Sequence, residues 1–318
     1  MYYIVDIMKA LACLLIANFH SDILFPNKLS LLAFGGDIGN NIFFMISGFT
    51  LLPSVEKSAS TDIGKWYLKR IIRLMPTISF FYILTFFTGG IIIRNFSDMF
   101  QAFIFPSIYW FTGALFFFYL FFFMIEKYSN PVFRIICSIT LIALHLYKDN
   151  LFVERYFIGF ISMMCGAWIR RNFHIFSNKI KGKKLVFGIT LCGVFYLILK
   201  LLRGRNIETF GLIHLSIGML TICLAMGILL LGILHEDNLN YFFLSHTKLY
   251  QIIKKLSEIT LAVYLIMGLN DRIIMQAIKK IFPFPISYVV NMSVSLFIAY
   301  IITLVDLKLR RKNRKVLP

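Results

Sequence analysis

Asp6 to His20 reads DIMKALACLLIANFH, and the reading of this stretch decides the rest of the chain. With Ile4 and Val5 before it, the run is long and apolar enough for a membrane-crossing helix. A lysine and a histidine nevertheless interrupt it, at Lys9 and His20. They stand eleven positions apart. At about 3.6 residues per turn that is roughly three turns, so both project from nearly one face, ~16 Å apart along the axis. Ionisable groups inside a bilayer are expensive and mark function by default. An amine near one membrane face and an imidazole three turns deeper would look along one lumen. Asp6, one turn before Lys9, shares that face. The plainer alternatives are that Lys9 snorkels to the headgroups and that His20 sits at the water interface. Asn18 and Asp22 are placed to orient the His20 ring, because a base usually needs a partner on its second nitrogen.

The rest of the chain has the same character. Of its 318 residues 59% are hydrophobic, 35 are Phe, and only 15% are charged. Soluble domains carry about 25% charged residues. The composition defines an integral membrane protein, and no polar stretch is long enough for a separate soluble core. Residues 1–318 are therefore read as a single integral-membrane domain ending in a basic tail, 307–318. The N-terminus lacks a basic n-region and a small-residue cleavage site, so the first helix is expected to be retained. A net charge of +18 would suit nucleic acid, but the cations sit in short loops and a tail between apolar spans. That is the footprint of positive-inside topology and anionic lipid, not of a nucleic-acid partner. The five cysteines, Cys13, Cys137, Cys165, Cys192 and Cys223, fall in apolar spans without CxxC or zinc spacing, so packing is their expected role and no metal site is expected.

Apolar runs predict an all-α, polytopic helix bundle of about ten transmembrane helices: 4–20, 37–53, 76–93, 108–125, 132–147, 153–170, 185–202, 212–234, 257–277 and 284–306. Basic residues concentrate in 54–75, in 170–184 and after Asp306. With ten spans these three segments share one side, which the positive-inside rule makes cytoplasmic, and both termini lie there too. The segments 21–36, 94–107 and 148–152 are charge-poor or balanced. The loop at 203–210, with Arg203, Arg205 and Glu208, is the exception. There is no internal repeat, and the Phe-rich run Phe116–Phe123 is expected to face lipid and neighbouring helices.

Three further stretches carry candidate chemistry. IFFMISGF, Ile42 to Phe49, sets Ser47 beside Gly48, which offers one hydroxyl and a close backbone approach, although helix packing alone would explain small residues there. In WYLKRIIRLMP, Trp66 to Pro76, Arg70 and Arg73 are i and i+3 on one helical face. The segment reads as an interfacial helix leading to Pro76, which would open the third span. Two adjacent guanidiniums make a phosphate clamp, and positive-inside anchoring is the competing role. YWFTGALFFFY, Tyr109 to Tyr119, opens the fourth span and places Trp110 and Tyr119 at different depths.

These stretches, in this order, resemble the acyltransferase-3 family, the membrane-bound acyltransferases that O-acetylate bacterial surface polysaccharides. Lys9 and His20 match its (Arg/Lys)-x10-His signature. IFFMISGF resembles its FF-x-x-SGF segment, LKRIIRLMP its R-x-x-R-x-x-P, and WFTGALFFFY its W-x-L…Y. ITLAVYL, Ile259 to Leu265, is similar to its late S-x-x-x-YL. The chain departs from the pattern at Leu115, where many members have Glu, at Asn41, where Asp is common, and at Met267, near which a His often stands. These departures bear on the acceptor side and leave the Lys9/His20 pair intact.

The resemblance implies an acetyl-CoA-dependent O-acyltransferase of the inner or plasma membrane, with acetyl-CoA as co-substrate and no permanently bound cofactor. The CoA phosphates would sit near Arg70, Arg73 and Lys9. His20 would act as general base toward a sugar hydroxyl, or carry the acyl group itself. Ser47, Trp110 and Tyr119 would line the substrate site. The acceptor would be a carbohydrate of a cell-surface polysaccharide or its lipid-linked precursor. Two other classes compete: a transporter or exporter of a polysaccharide intermediate, and an inactive scaffold bound to membrane lipid.

Overall fold

A computed structural model describes residues 2–58, 62–87, 94–99, 110–127, 151–179, 182–203, 210–270 and 274–314. Among them every regular element is helical. The elements are α1 (Tyr3–Phe19), α2 (Gly36–Glu56), α3 (Ile63–Phe87), α4 (Trp110–Lys127), α5 (Leu151–Lys179), α6 (Gly182–Arg203), α7 (Phe210–Leu234), α8 (Glu236–Ser245), α9 (Thr247–Asn270), α10 (Ile274–Ile281) and α11 (Ile286–Arg314). Short 3-10 turns, Asp22–Leu24 and Asn27–Leu32, link α1 to α2, and a single turn, Phe96–Met99, precedes α4. The chain folds as an all-α membrane bundle. Every expected span has a helix except the fifth, 132–147, which lies with Cys137 outside the described residues, as do Tyr109 and most of the 94–107 and 203–210 loops.

Six segments among the described residues are long and apolar enough to cross a membrane: Leu29–Glu56, Ile63–Phe87, Trp110–Lys127, Gly182–Leu202, Leu215–Leu234 and Ile286–Lys308. Of the other long helices, α1 has only 17 residues and α9 carries Lys254, Lys255 and Glu258 within its apolar stretch, and both pack against neighbouring helices of the bundle.

Helix boundaries move where charge and the helix disagree. The segment leading to Pro76 is not a separate interfacial helix; α3 starts at Ile63 and runs through Pro76. Proline is tolerated within membrane helices because neighbouring groups can satisfy the carbonyl it frees. Likewise α5 continues past Arg170 and Arg171 to Lys179, and α11 continues through the first part of the basic tail to Arg314. Charge ends a hydrocarbon span without ending the helix that carries it. The ninth span extends the other way: its helix already begins at Thr247 and is described as far as Asn270, and α10 is described from Ile274.

α1 lies between α2 and α9, α2 packs along α5, and α9 packs on α3 and α11. The backbones of α2 and α5 approach closely where they cross. A Cβ on Gly48 would stand 1.8 Å from the Met163 carbonyl oxygen, and one on Gly166 would stand 1.9 Å from that of Met45. Small residues at such crossings are how membrane helices gain close packing. Beside them, Asn41 Nδ2 donates to Thr221 Oγ1 (2.5 Å), Ser162 Oγ donates to Asn41 Oδ1 (2.9 Å), and Thr221 Oγ1 donates to the Gly218 carbonyl (2.7 Å). This buried, neutral set ties α2, α5 and α7 together. In the Phe-rich run, Phe117 and Phe121 point outward at i and i+4, while Phe116, Phe118, Phe122 and Phe123 are buried.

Candidate functional site

The face of α9 sets the site. Tyr250, Ser257, Thr260 and Tyr264 follow at spacings of seven, three and four residues, which places them on one side of the helix. That side meets α1 in ascending order, so the two helices run parallel. Tyr250 Oη (2.9 Å) and Ser257 Oγ (3.0 Å) donate to the two oxygens of Asp6, which is only 4% exposed. Thr260 Oγ1 donates to the Lys9 carbonyl (3.4 Å). Further along, the Tyr264 ring meets the His20 ring edge-on, with centroids 6.3 Å apart. The start of α1 is fixed by Glu236 of α8, whose carboxylate accepts the Tyr3 N–H (2.5 Å) and the Ile4 N–H (3.5 Å). An acidic side chain at that end also suits the helix dipole.

At the Lys9 end the arginines gather. Lys9 is half-buried, and Asp6, Arg73 and Glu258 lie within its electrostatic reach. Arg70 is held over the Trp66 ring (5.2 Å to the centroid) and gives one amino group to Ser54 Oγ (2.8 Å), which also accepts Trp66 Nε1 (3.1 Å). Its Nε is buried and has no hydrogen-bond partner among the described residues. Arg73, one turn on, is exposed. Both guanidiniums lie within electrostatic reach of the buried Tyr119.

The His20 end is aromatic. His20 closes α1 as its C-terminal cap residue. From Tyr264 the rings continue to Phe111 (4.5 Å), which also packs on Phe43 (4.9 Å) and Phe44 (4.8 Å). Trp110 lies beside Phe44 (6.2 Å) and Tyr156 (6.2 Å), and its carbonyl accepts the Tyr156 hydroxyl (3.3 Å). The turn after His20 is tied down on several sides. Asn291 Nδ2 donates to Ser21 Oγ (3.2 Å), and Lys279 Nζ donates to the Ile23 carbonyl (2.5 Å).

The structure thus brings Lys9, Arg70, Arg73 and Tyr119 to one end of the α1–α9 seam and His20 and Trp110 to the other. Tyr119 sits with the cations and not with Trp110. Ser47 lies one turn along α2 from Phe43 and donates its hydroxyl to the Phe43 carbonyl (2.9 Å), within its own helix. Asn18 and Asp22 have work away from the His20 ring. Asn18 Nδ2 donates to the Leu32 (2.8 Å) and Phe34 (3.0 Å) carbonyls, and its Oδ1 accepts from Tyr288 Oη (2.9 Å). Asp22 Oδ1 accepts the Ile23 N–H (2.7 Å). Those bonds pin the loop between α1 and α2, so the loop needs them for its shape.

Tyr250, Ser257 and Glu258 carry no signal in the sequence reading, and Thr260 and Tyr264 enter it only as part of ITLAVYL. The signal for that pair is their spacing, since Thr260 and Tyr264 are i and i+4. Among the described residues no group of His, Cys, Asp and Glu side chains comes together in a way that could hold a metal. A cavity of about 210 Å³ between α3 and α11, bordered by Pro76, Thr77, Phe80 and Asp306 among others, includes none of the candidate residues.

Compared with known proteins, the chain matches a family model described as an acyltransferase domain over residues 2–305, nearly its full length. No curated protein and no solved structure matches it.

Proposed function

Because the chain belongs to the acyltransferase-3 family and is a multi-pass membrane acyltransferase, we propose that it moves an acyl group, acetyl for preference, from acyl-CoA to a sugar hydroxyl. The acceptor is a cell-surface polysaccharide or its lipid-linked precursor, and the membrane is the inner or plasma membrane. Both termini are cytoplasmic in this reading. The observation that carries it is the single seam on which α9 meets both Lys9 and His20, with Arg70 and Arg73 at the Lys9 end.

The cytoplasmic end takes the anionic donor. Lys9 and the Arg73 guanidinium face the phosphates, and Arg70 Nε, which has no hydrogen-bond partner among the described residues, adds a donor. Guanidinium forks suit phosphate geometry. The pantetheine arm, thin and extended, runs along the seam for the ~16 Å that α1 spans between Lys9 and His20. There the His20 imidazole takes the proton of the acceptor hydroxyl, and the oxygen attacks the thioester carbonyl. The C–S bond breaks, and the imidazolium returns its proton to the departing CoA thiolate. Trp110, with Phe111 and Tyr264, supplies the aromatic wall on which a sugar ring stacks, and Ser47 lies below that wall on α2.

Thiol release from acetyl-CoA by the purified protein in phospholipid vesicles, with transfer to added glycoside followed by mass spectrometry, tests the reading. His20→Ala is expected to lower turnover by about 10²–10⁴-fold while the protein remains in the membrane, since general-base catalysis is worth that much. An acylated His20 trapped without acceptor would make it a carrier. Movement of a glycolipid across the vesicle with no thiol release, unaffected by His20→Ala, would replace the enzyme with an exporter.

A further inference from the structure

Two asparagines stand side by side on α2, and only one of them is closed. Asn41 receives the Ser162 hydroxyl on its oxygen and gives its amide to Thr221, so both ends are used. Asn40 has a buried Oδ1 with no hydrogen-bond partner among the described residues. We propose that Asn40 binds the donor: its Oδ1 accepts the N–H of the amide nearer the sulfur in the pantetheine arm of acyl-CoA. This rests on the reading of the chain as an acyl-CoA-dependent enzyme with His20 at the reacting end.

The face of α2 that carries Asn40 is unlike the others. Between Ile38 and Phe49 every residue of the helix is buried except Asn40, Phe43 and Ser47. Spacings of three and four residues put these on one side, which is therefore the open side of an otherwise enclosed helix. Contacts to left and right identify what it looks upon. Gly36 and Gly39 lie against Phe19, Ile16 and Ala12 of α1, while Phe43 and Phe44 meet Phe111 of α4. Asn40, one turn from Gly36 and one turn from Phe44, falls between α1 and α4. On that side Phe111 meets Tyr264, and Tyr264 meets His20. Seven residues past Ser47 the same face reaches Ser54, whose hydroxyl holds Arg70. One face of α2 thus joins the cationic end of the site to the aromatic end.

The level of Asn40 selects the ligand group. α1 and α2 run antiparallel, since Gly36 lies against Phe19 and Gly39 against Ala12 and Ile16. Four residues beyond Gly36, Asn40 is ~6 Å of helix rise from the His20 end, toward Lys9. With the thioester carbonyl at His20, an acceptor sugar lies on the outer side of that level and the donor arm on the inner side. A short methylene spacer separates the sulfur from the first amide of the arm, which brings its N–H to the depth of Asn40. A buried acceptor without a donor carries a desolvation penalty, and an entering N–H removes it. The nearest hydroxyl on the same face does not serve, because Ser47 donates to the Phe43 carbonyl.

The test uses the full-length protein in phospholipid vesicles with acetyl-CoA and two shorter probes. These are acetyl-pantetheine and its analogue with an ester oxygen in place of the amide nitrogen nearer the sulfur, which keeps the shape and loses the N–H. Wild-type protein is expected to bind the ester about tenfold more weakly than the amide, the worth of one hydrogen bond. Asn40→Leu, close in volume and without an acceptor, is expected to weaken acetyl-CoA and acetyl-pantetheine alike by about tenfold. The same variant should change the affinity of the ester by less than about twofold, the non-additivity of a coupled pair. Equal affinities of wild-type protein for amide and ester overturn the assignment, as do equal losses for the two probes in the variant. Wild-type protein that binds acetyl-CoA, with an Asn40→Leu variant of unchanged affinity, overturns it alone. Wild-type protein that binds neither acetyl-CoA nor acetyl-pantetheine overturns it together with the proposed function. Unchanged donor affinity with a lost preference for N-acetylhexosamine over hexose acceptors moves Asn40 to the acceptor and overturns it as well. Should Asn40→Leu fail to reach the membrane, Asn40→Ala replaces it, and the wild-type comparison of amide with ester decides without any variant.

Discussion

Two seams run through the interior of this bundle, and both bury polar groups. Where α2 crosses α5, the groups are neutral and closed on one another: Asn41, Ser162 and Thr221 pass hydrogen bonds among themselves and end on the Gly218 carbonyl. Where α1 runs along α9, the groups are ionisable, and the seam ends in a half-buried lysine at one side and an imidazole at the other. A closed neutral network fixes a packing and asks for no ligand. An interior row of titratable groups with aromatic walls is costly to keep unless something polar enters it. Burial alone does not separate structure from function here; the chemistry of what is buried does.

The largest expected effects break the two seams in different ways. His20→Ala should lower transfer by about 10²–10⁴-fold with membrane abundance unchanged, measured as thiol release per molecule of folded protein. Gly48→Val attacks the other seam. Its branched side chain has to enter where a single Cβ already meets the Met163 carbonyl at 1.8 Å. Over-packing costs about 1–3 kcal/mol even where side chains can give way, and here the obstacle is backbone. Loss of monodisperse protein in detergent is the expected result. A Gly48→Val protein that folds and stays active would show that the α2–α5 contact is looser than the structure has it.

Asn41→Ala is the intermediate case. It removes both bonds that link Ser162 and Thr221 through Asn41, at about 1–3 kcal/mol for the buried hydroxyls left behind. The thermal midpoint should fall, and thiol release per folded molecule should stay within about twofold of wild type. A large drop in specific activity with an unchanged midpoint would move Asn41 from the packing seam to the reaction.

How far the sequence reveals this division follows from the same chemistry. Lys9 and His20 stand out because charge within an apolar run is conspicuous, and their common face follows from helical spacing alone. The fold class follows equally from apolar run lengths. The partner helix is harder to see. Thr260 and Tyr264 are ordinary residues in an apolar helix, and only the packing of α9 on α1 turns them toward Lys9 and His20. The separation of Trp110 from Tyr119 was legible as a difference in depth, but which end each would serve depends on where α3 places Arg70 and Arg73. Asn18 is the opposite case. Its nearness to His20 in sequence suggested a ring partner, whereas the loop carbonyls of Leu32 and Phe34 and the Tyr288 hydroxyl claim it.

The smallest expected effect concerns how α1 itself is held. Glu236 anchors its first turn from α8, and burial pushes the Glu236 carboxyl above its ordinary range even though the Tyr3 and Ile4 N–H groups pull the other way. A raised carboxyl means that the folded protein holds this proton more tightly than the unfolded chain does. The associated stability is therefore present below the ordinary glutamate range and is lost as pH rises through the shifted value. Glu236→Gln removes that proton, so the difference in thermal midpoint between wild type and variant should fall as pH rises through the weakly acidic range and then level off. If the difference instead grows with pH, the charged carboxylate on the helix terminus outweighs its burial, and the α1 anchor is electrostatic in the same sense as the seam it leads into.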